Sequence, residues 1–93
     1  MKTFEKNNSI YFECTYRDWN GEVTTPTSPT HKVVDSKGNE ETSGIPSLKE
    51  TGVYYFYWES SEEDTYVVEF RGGIGGQNGI ARQLFKIVET KVS

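Results

Sequence analysis

Two apolar, aromatic-rich runs, Val53–Trp58 and residues 66–70, lie on either side of a polar, acidic segment at 59–64. β-Branched and aromatic side chains at this density fill a pleated, half-buried surface, so both runs are predicted strands. Read by twos, Tyr54, Phe56 and Trp58 share one face of the first strand. Tyr66, Val68 and Phe70 share one face of the second. Residues 9–17 alternate as clearly, with Ile10, Phe12, Cys14 and Tyr16 inward and Tyr11, Glu13, Thr15 and Arg17 outward. The expected core is Tyr54, Phe56, Tyr66, Val68 and Phe70, closed by Phe12 and by Phe85 of a final strand over 81–89, where Ile87 shares the inner face.

Turn chemistry divides the rest of the chain. Asp18-Trp19-Asn20-Gly21 and Asp35-Ser36-Lys37-Gly38 are tight-turn signals, since Asn, Asp and Gly tolerate positive φ. Trp19 at a turn tip is either folded back over the core or exposed for a partner. Pro26 and Pro29 exclude a central strand over 22–30, because proline donates no ladder hydrogen bond, and predict an extended crossing segment there. A short strand over 31–35, a polar edge strand over 39–43 and a first strand over 3–5 complete the set. Ile45 and Leu48 flank Pro46 and are expected to plug the side of the fold. Tyr66, just after Glu63-Asp64-Thr65, is expected to bond back through its hydroxyl to the preceding corner. About seven antiparallel strands separated by turns, with no helical period, predict an all-β, immunoglobulin-like β-sandwich in one domain spanning residues 1–93.

The 93 residues contain 33% hydrophobic but 14% aromatic positions, which predicts a small core of large side chains. The net charge is −4. That acidity disfavours nucleic acid and anionic membrane surfaces, and Lys32, Lys37, Arg71 and Arg82 read as isolated cations. With one cysteine, Cys14, no intrachain disulfide can form. A buried structural thiol and a reducing compartment, or a particle assembled in one, are expected. No apolar leader follows Met1 and no run is long enough to span a membrane.

Candidate chemistry is sparse. Gly72-Gly73-Ile74-Gly75-Gly76-Gln77-Asn78-Gly79 lacks the Gly-Lys-Ser/Thr ending and the helix of a phosphate cradle, and is read as a flexible loop joining the last two strands. The acids Glu59, Glu62, Glu63 and Asp64 match no EF-hand spacing, which leaves a solvated loop or a weak calcium site. His31 has no ligand partner at metal spacing and is expected at an exposed or rim position. No nucleophile setting occurs. The expectation is a non-enzyme with no cofactor, no metal and no catalytic residue. Tyr55 and Tyr57, and Tyr11 on its own strand, point away from the core. If they meet, they form ordinary cross-strand pairs, an interface with a partner, or a sugar-stacking platform. The candidate interface residues are therefore Tyr11, Tyr55, Tyr57 and Trp19, with Gly73, Ile74, Gly75, Gly76, Gln77 and Asn78 of the glycine-rich loop.

The run Gly52-Val53-Tyr54-Tyr55-Phe56-Tyr57-Trp58 and the run Asp64-Thr65-Tyr66-Val67-Val68-Glu69-Phe70-Arg71-Gly72, preceded by the Asp35-Ser36-Lys37-Gly38 turn, carry a resemblance. They are similar to small immunoglobulin-like modules of phage and prokaryotic-virus structural proteins, a pattern shared with macroglobulin-like and carboxypeptidase-regulatory-like domains. The resemblance covers about two thirds of the chain, from Thr30 onward, and also fits the strand at 9–17. It implies a non-enzymatic virion component, in a tail, neck or capsid-decoration position, assembled in a host cytoplasm. The implied partners are other virion proteins or further copies of the chain, and no functional residue set transfers. The alternative is a cell-surface or carbohydrate-binding module. The chain departs from the pattern in its longer glycine-rich segment, and its start at Met1 and stop after the last strand predict a free-standing module.

Overall fold

The computed structural model describes residues 1–89. Eight strands and no helix are present among them: β1 (Lys2–Glu5), β2 (Ile10–Thr15), β3 (Thr27–Val34), β4 (Glu40–Gly44), β5 (Ser47–Glu50), β6 (Val53–Trp58), β7 (Asp64–Ile74) and β8 (Gln77–Val88). They form two sheets, a five-stranded one in the order β1-β8-β7-β3-β4 and a three-stranded one in the order β2-β6-β5. All pairings are antiparallel except β1 with β8, which is parallel.

The inward-facing residues of the two sheets meet as the alternation predicts. Ile10, Phe12, Tyr16, Val33, Phe56, Tyr66, Val68, Phe70, Ile74, Phe85 and Ile87 form one buried cluster. Its centre is aromatic: Phe12 lies 5.2 Å from Phe56 and 5.0 Å from Phe85, and Tyr66 stacks on Phe85 at 5.6 Å. Offset and edge contacts at these separations add to the area term. Tyr54, Trp58 and Cys14 pack against the cluster but are only partly buried. The Tyr66 hydroxyl donates to the Glu62 carbonyl at 3.1 Å, as expected of a tyrosine following a corner. Both predicted turns form, with Gly21 and Gly38 at positive φ and the carboxylates of Asp18 and Asp35 accepting the loop N–H groups.

Four expectations are corrected. The glycine-rich segment is a β-hairpin, with Gly72, Gly73 and Ile74 ending β7 and Gln77, Asn78 and Gly79 opening β8. Only Gly75 and Gly76 form the turn, at φ 57° and 79°, the conformation that two-residue hairpins need and glycine supplies without strain. Gly72 is required for contact. A Cβ there would stand 2.8 Å from both Pro26 and the Tyr16 ring, whose hydroxyl bonds the Arg71 carbonyl at 2.9 Å. The proline segment is the second correction: β3 starts at Thr27 and runs through Pro29 with a register shift between Thr27 and Thr30. The prolines are tolerated because the ladder is broken there. Third, Ile45 and Leu48 are exposed, and Leu48 belongs to the unpredicted edge strand β5. Fourth, His31 is half-buried and stacks on Phe56, with 3.8 Å between ring centroids.

Candidate functional site

β2 and β6 pair in a register that sets Tyr11 opposite Tyr57 and Glu13 opposite Tyr55. Residues directly opposite in an antiparallel pair share a face. All four therefore stand on the outer face of the three-stranded sheet. The three tyrosine rings touch: Tyr11 is 5.3 Å from Tyr57 and 5.5 Å from Tyr55, and Tyr55 is 6.0 Å from Tyr57. Tyr57 remains 63% exposed and Tyr11 42%.

A polar margin borders the rings. Tyr11 donates its hydroxyl proton to Glu13 at 2.6 Å, and Lys49 reaches the same carboxylate oxygen at 2.9 Å. The Lys49 ammonium also lies 6.0 Å from the centre of the Tyr11 ring. The bonds from Tyr11 and Lys49 hold the Glu13 carboxyl below its usual range, while Glu13 raises Tyr11 and Lys49 above theirs. At neutral pH the margin is a fixed carboxylate and ammonium beside an uncharged aromatic patch. Its chemistry is contact and stacking. Tyr11 and Glu13 also border a cavity of about 350 Å³ between β2 and β8, which Tyr55 and Tyr57 do not line.

The other predicted contact residues lie elsewhere. Thr15 opposite Val53 ends the β2–β6 ladder, and the chain leaves there for the turn that carries Trp19. Trp19 is 73% exposed, so it does not cover the core. Its indole nitrogen stands 3.7 Å from where a Cβ on Gly75 would be, which joins Trp19 to the hairpin tip at the opposite end of the sheet from Tyr11 and Tyr57. Gly75, Gly76, Gln77 and Asn78 are exposed at this tip, Gly73 is half-buried, and Ile74 is core rather than contact. The candidate contact residues thus form two separate surfaces.

A third assembly was not expected. Lys32, Arg71 and Arg82, read from the sequence as isolated, converge on Glu69 on the outer face of the five-stranded sheet. Glu69 is only 3% exposed. Its Oε1 accepts from Arg82 Nε at 2.9 Å and Arg71 Nη2 at 3.1 Å, and its Oε2 lies 3.4 Å from Lys32 Nζ. Burial alone would raise this carboxyl, but the bonds and charges of Arg71, Arg82 and Lys32 outweigh it and hold the group below its usual range. The arginine two positions after Glu69 was the one local signal. Lys32 and Arg82 arrive through the pairings Lys32–Glu69 and Glu69–Arg82, which the sequence does not display.

Among the described residues no group of three or more His, Cys, Asp or Glu side chains could hold a metal ion. Two of the four acids near residue 60 are engaged with the protein itself: Asp64 accepts from the Ser36 hydroxyl and the Thr65 N–H, and Glu63 accepts from the Glu89 N–H. Cys14 is partly buried beside the cavity of about 350 Å³ between β2 and β8, and burial pushes its thiol pKa up, away from reactivity. No protein-family model, curated protein or solved structure matches the chain.

Proposed function

We propose that the chain is a non-enzymatic recognition module of immunoglobulin-like topology that binds another protein through Tyr11, Tyr55 and Tyr57. The strand order supports the topology: β2-β6-β5 and β8-β7-β3-β4 correspond to the B-E-D and G-F-C-C′ orders of such sandwiches. The Tyr66 hydroxyl bond supports it too, because a tyrosine at the start of the penultimate strand ties back to the corner in that fold.

The observation that carries the function is the mutual contact of three tyrosines on an exposed sheet face. Tyrosine is enriched at interfaces because it offers apolar area and a polar tip at small conformational cost. The rings are tilted by 34°, 54° and 84° to one another, which favours a partner side chain wedged between them over a sugar ring lying flat. The setting is the one the resemblance implies: a virus particle assembled in a host cytoplasm, with other particle proteins or further copies of this chain as partners. A carbohydrate-binding module is the second reading, favoured only by the exposed rings.

Co-sedimentation with purified particles, together with analytical ultracentrifugation of the free chain, tests this proposal. Tyr55→Ser/Tyr57→Ser should stay folded by circular dichroism and lose at least tenfold in binding or self-association. Undiminished association of that variant would move the contacts elsewhere. A wild-type chain that joins neither particles nor copies of itself, but is retained by glycans, would replace the proposal with the second reading.

A further inference from the structure

The Glu69 cluster has an unequal charge count. Three cations, Lys32, Arg71 and Arg82, surround one carboxylate, leaving two positive charges uncompensated in a chain whose net charge is −4. One cation is enough to neutralise the Glu69 charge. The three cations instead repel one another at close range, and each keeps part of its side chain in solvent: 39% for Lys32, 48% for Arg71 and 60% for Arg82.

Beside Lys32 and Arg71 lies an open depression of about 450 Å³, which Glu69, Ser43, Gly44 and a second carboxylate, Glu40, also border. Glu69 Oε2 makes no hydrogen bond among the described residues, so this site has a buried acceptor as well as outward cations. On the same sheet face, Ile80 is paired opposite Arg71 and Leu84 opposite Val67, and both isoleucine and leucine are exposed.

We propose that this face of the five-stranded sheet docks an extended acidic segment of a partner protein, with two carboxylates on the Lys32–Arg71–Arg82 cations and apolar side chains on Ile80 and Leu84. The neighbouring apolar side chains select a polypeptide over a small anion. The three cation head groups converge on the single Glu69 carboxylate, so their spacing alone does not exclude a small anion. Ile80 and Leu84, however, flank Arg82 on β8 and are exposed, and a small anion would leave them uncovered. Side chains two positions apart on an extended chain, about 7 Å, share a face and match the steps from Ile80 to Arg82 to Leu84. The guanidinium groups, already aligned by Glu69, bind carboxylates with less loss of freedom than unrestrained arginines would. Charge complementarity also sets the orientation, since the acidic remainder of the surface repels the same segment.

The test is a ¹⁵N-NMR titration of the full chain with a synthetic Glu-Leu-Glu-Leu-Glu peptide, its Gln-Leu-Gln-Leu-Gln counterpart, sodium acetate, and an oligothymidylate. Saturable shifts are expected with the acidic peptide alone, mapped to β3, β7, β8 and the arginine side chains, and weakening several-fold as salt rises from about 50 to 200 mM. Arg71→Gln/Arg82→Gln should lose at least tenfold in affinity, while Tyr55→Ser/Tyr57→Ser should bind as wild type. If the arginine variant unfolds, Lys32→Gln takes its place, with a loss of at least threefold expected. The proposal is overturned by equal binding of the neutral peptide, by saturation with acetate at the same carboxylate concentration, or by tighter binding of the oligothymidylate. It is also overturned by shifts confined to the tyrosine face, by unchanged affinity in the substituted chain, or by no saturable shift at all.

Discussion

On the outside of the three-stranded sheet, Tyr11, Tyr55 and Tyr57 touch and yet stay accessible; on the outside of the five-stranded sheet, Glu69 is almost wholly covered. Each set lies on or beside the middle strand of its sheet, β6 or β7, and neither faces the core. What differs is the flank. β7 runs for 11 residues between β3 and β8, whose Lys32 and Arg82 fold over Glu69 from either side. β6 runs for six residues between edge strands of six and four, which leave its rings open. An outer-face position is therefore buried by its cross-strand neighbours: Glu69 has the long Lys32 and Arg82 side chains on either side, whereas Tyr55 has Glu13 and Ser47, and Tyr57 has Tyr11. A carboxylate covered in this way must be paired, whereas an aromatic ring need not be.

The largest expected effect falls on the layer beneath both faces. Phe56 packs on Phe12, Phe70 and His31, and Phe56→Ala should cost about 3–5 kcal/mol in urea denaturation. A loss below about 1 kcal/mol would mean that the two sheets do not share this core.

The next effect separates the faces. Glu69→Gln removes the charge that gathers three cations and should cost about 1–2 kcal/mol. That is less than for a fully buried pair, because the partners reach solvent, and the cost should shrink at high salt. Tyr57→Ala removes cross-strand contacts only and should cost about 0.2–1 kcal/mol, independent of salt. If Tyr57→Ala proves the costlier of the two, the contrast between a structural charge cluster and an open contact face is reversed.

The smallest effect concerns pH. Burial beside Phe56 lowers the His31 pKa below its usual 6.5, so the unfolded chain binds the proton more readily than the folded one. The stability tied to neutral His31 is complete above about pH 6.5 and is lost as pH falls through the lower folded value. The melting temperature of His31→Gln should vary less than that of wild type between pH 7 and 5.5. Equal slopes would show that His31 does not titrate differently on folding. The lowered carboxyls of Glu13, Asp35, Asp64 and Glu69 act in a separate window, stabilising above the ordinary carboxylate range and losing that contribution as pH falls below about 4.

Much of the architecture was legible in the chain because its causes are local. Period-two alternation sorts Ile10, Phe12 and Tyr16 from Tyr11 and Glu13 within one strand, without reference to any other. Asp35 and Gly38 make their turn from four adjacent residues. The tyrosines could be assigned outward for the same reason. Their meeting could not be read so directly, because the contact of Tyr11 with Tyr55 and Tyr57 depends on a β2–β6 register that joins residues more than 40 positions apart. The glycine-rich segment was misread because density of glycine signals freedom locally. Only the pairing of Gly72 with Gly79 and Gly73 with Asn78, and the Tyr16 ring against Gly72, turns that freedom into a tight hairpin. Lys32, Arg71 and Arg82 show the same limit most sharply. Apart from Arg71 two positions after Glu69, their types and spacing carry no sign of association, and they become one cluster because β3, β7 and β8 lie side by side in register around Glu69. Which way a side chain points is a property of its own strand. What it meets there is decided by strands that arrive from distant parts of the chain, through backbone hydrogen bonds that are the same for every sequence.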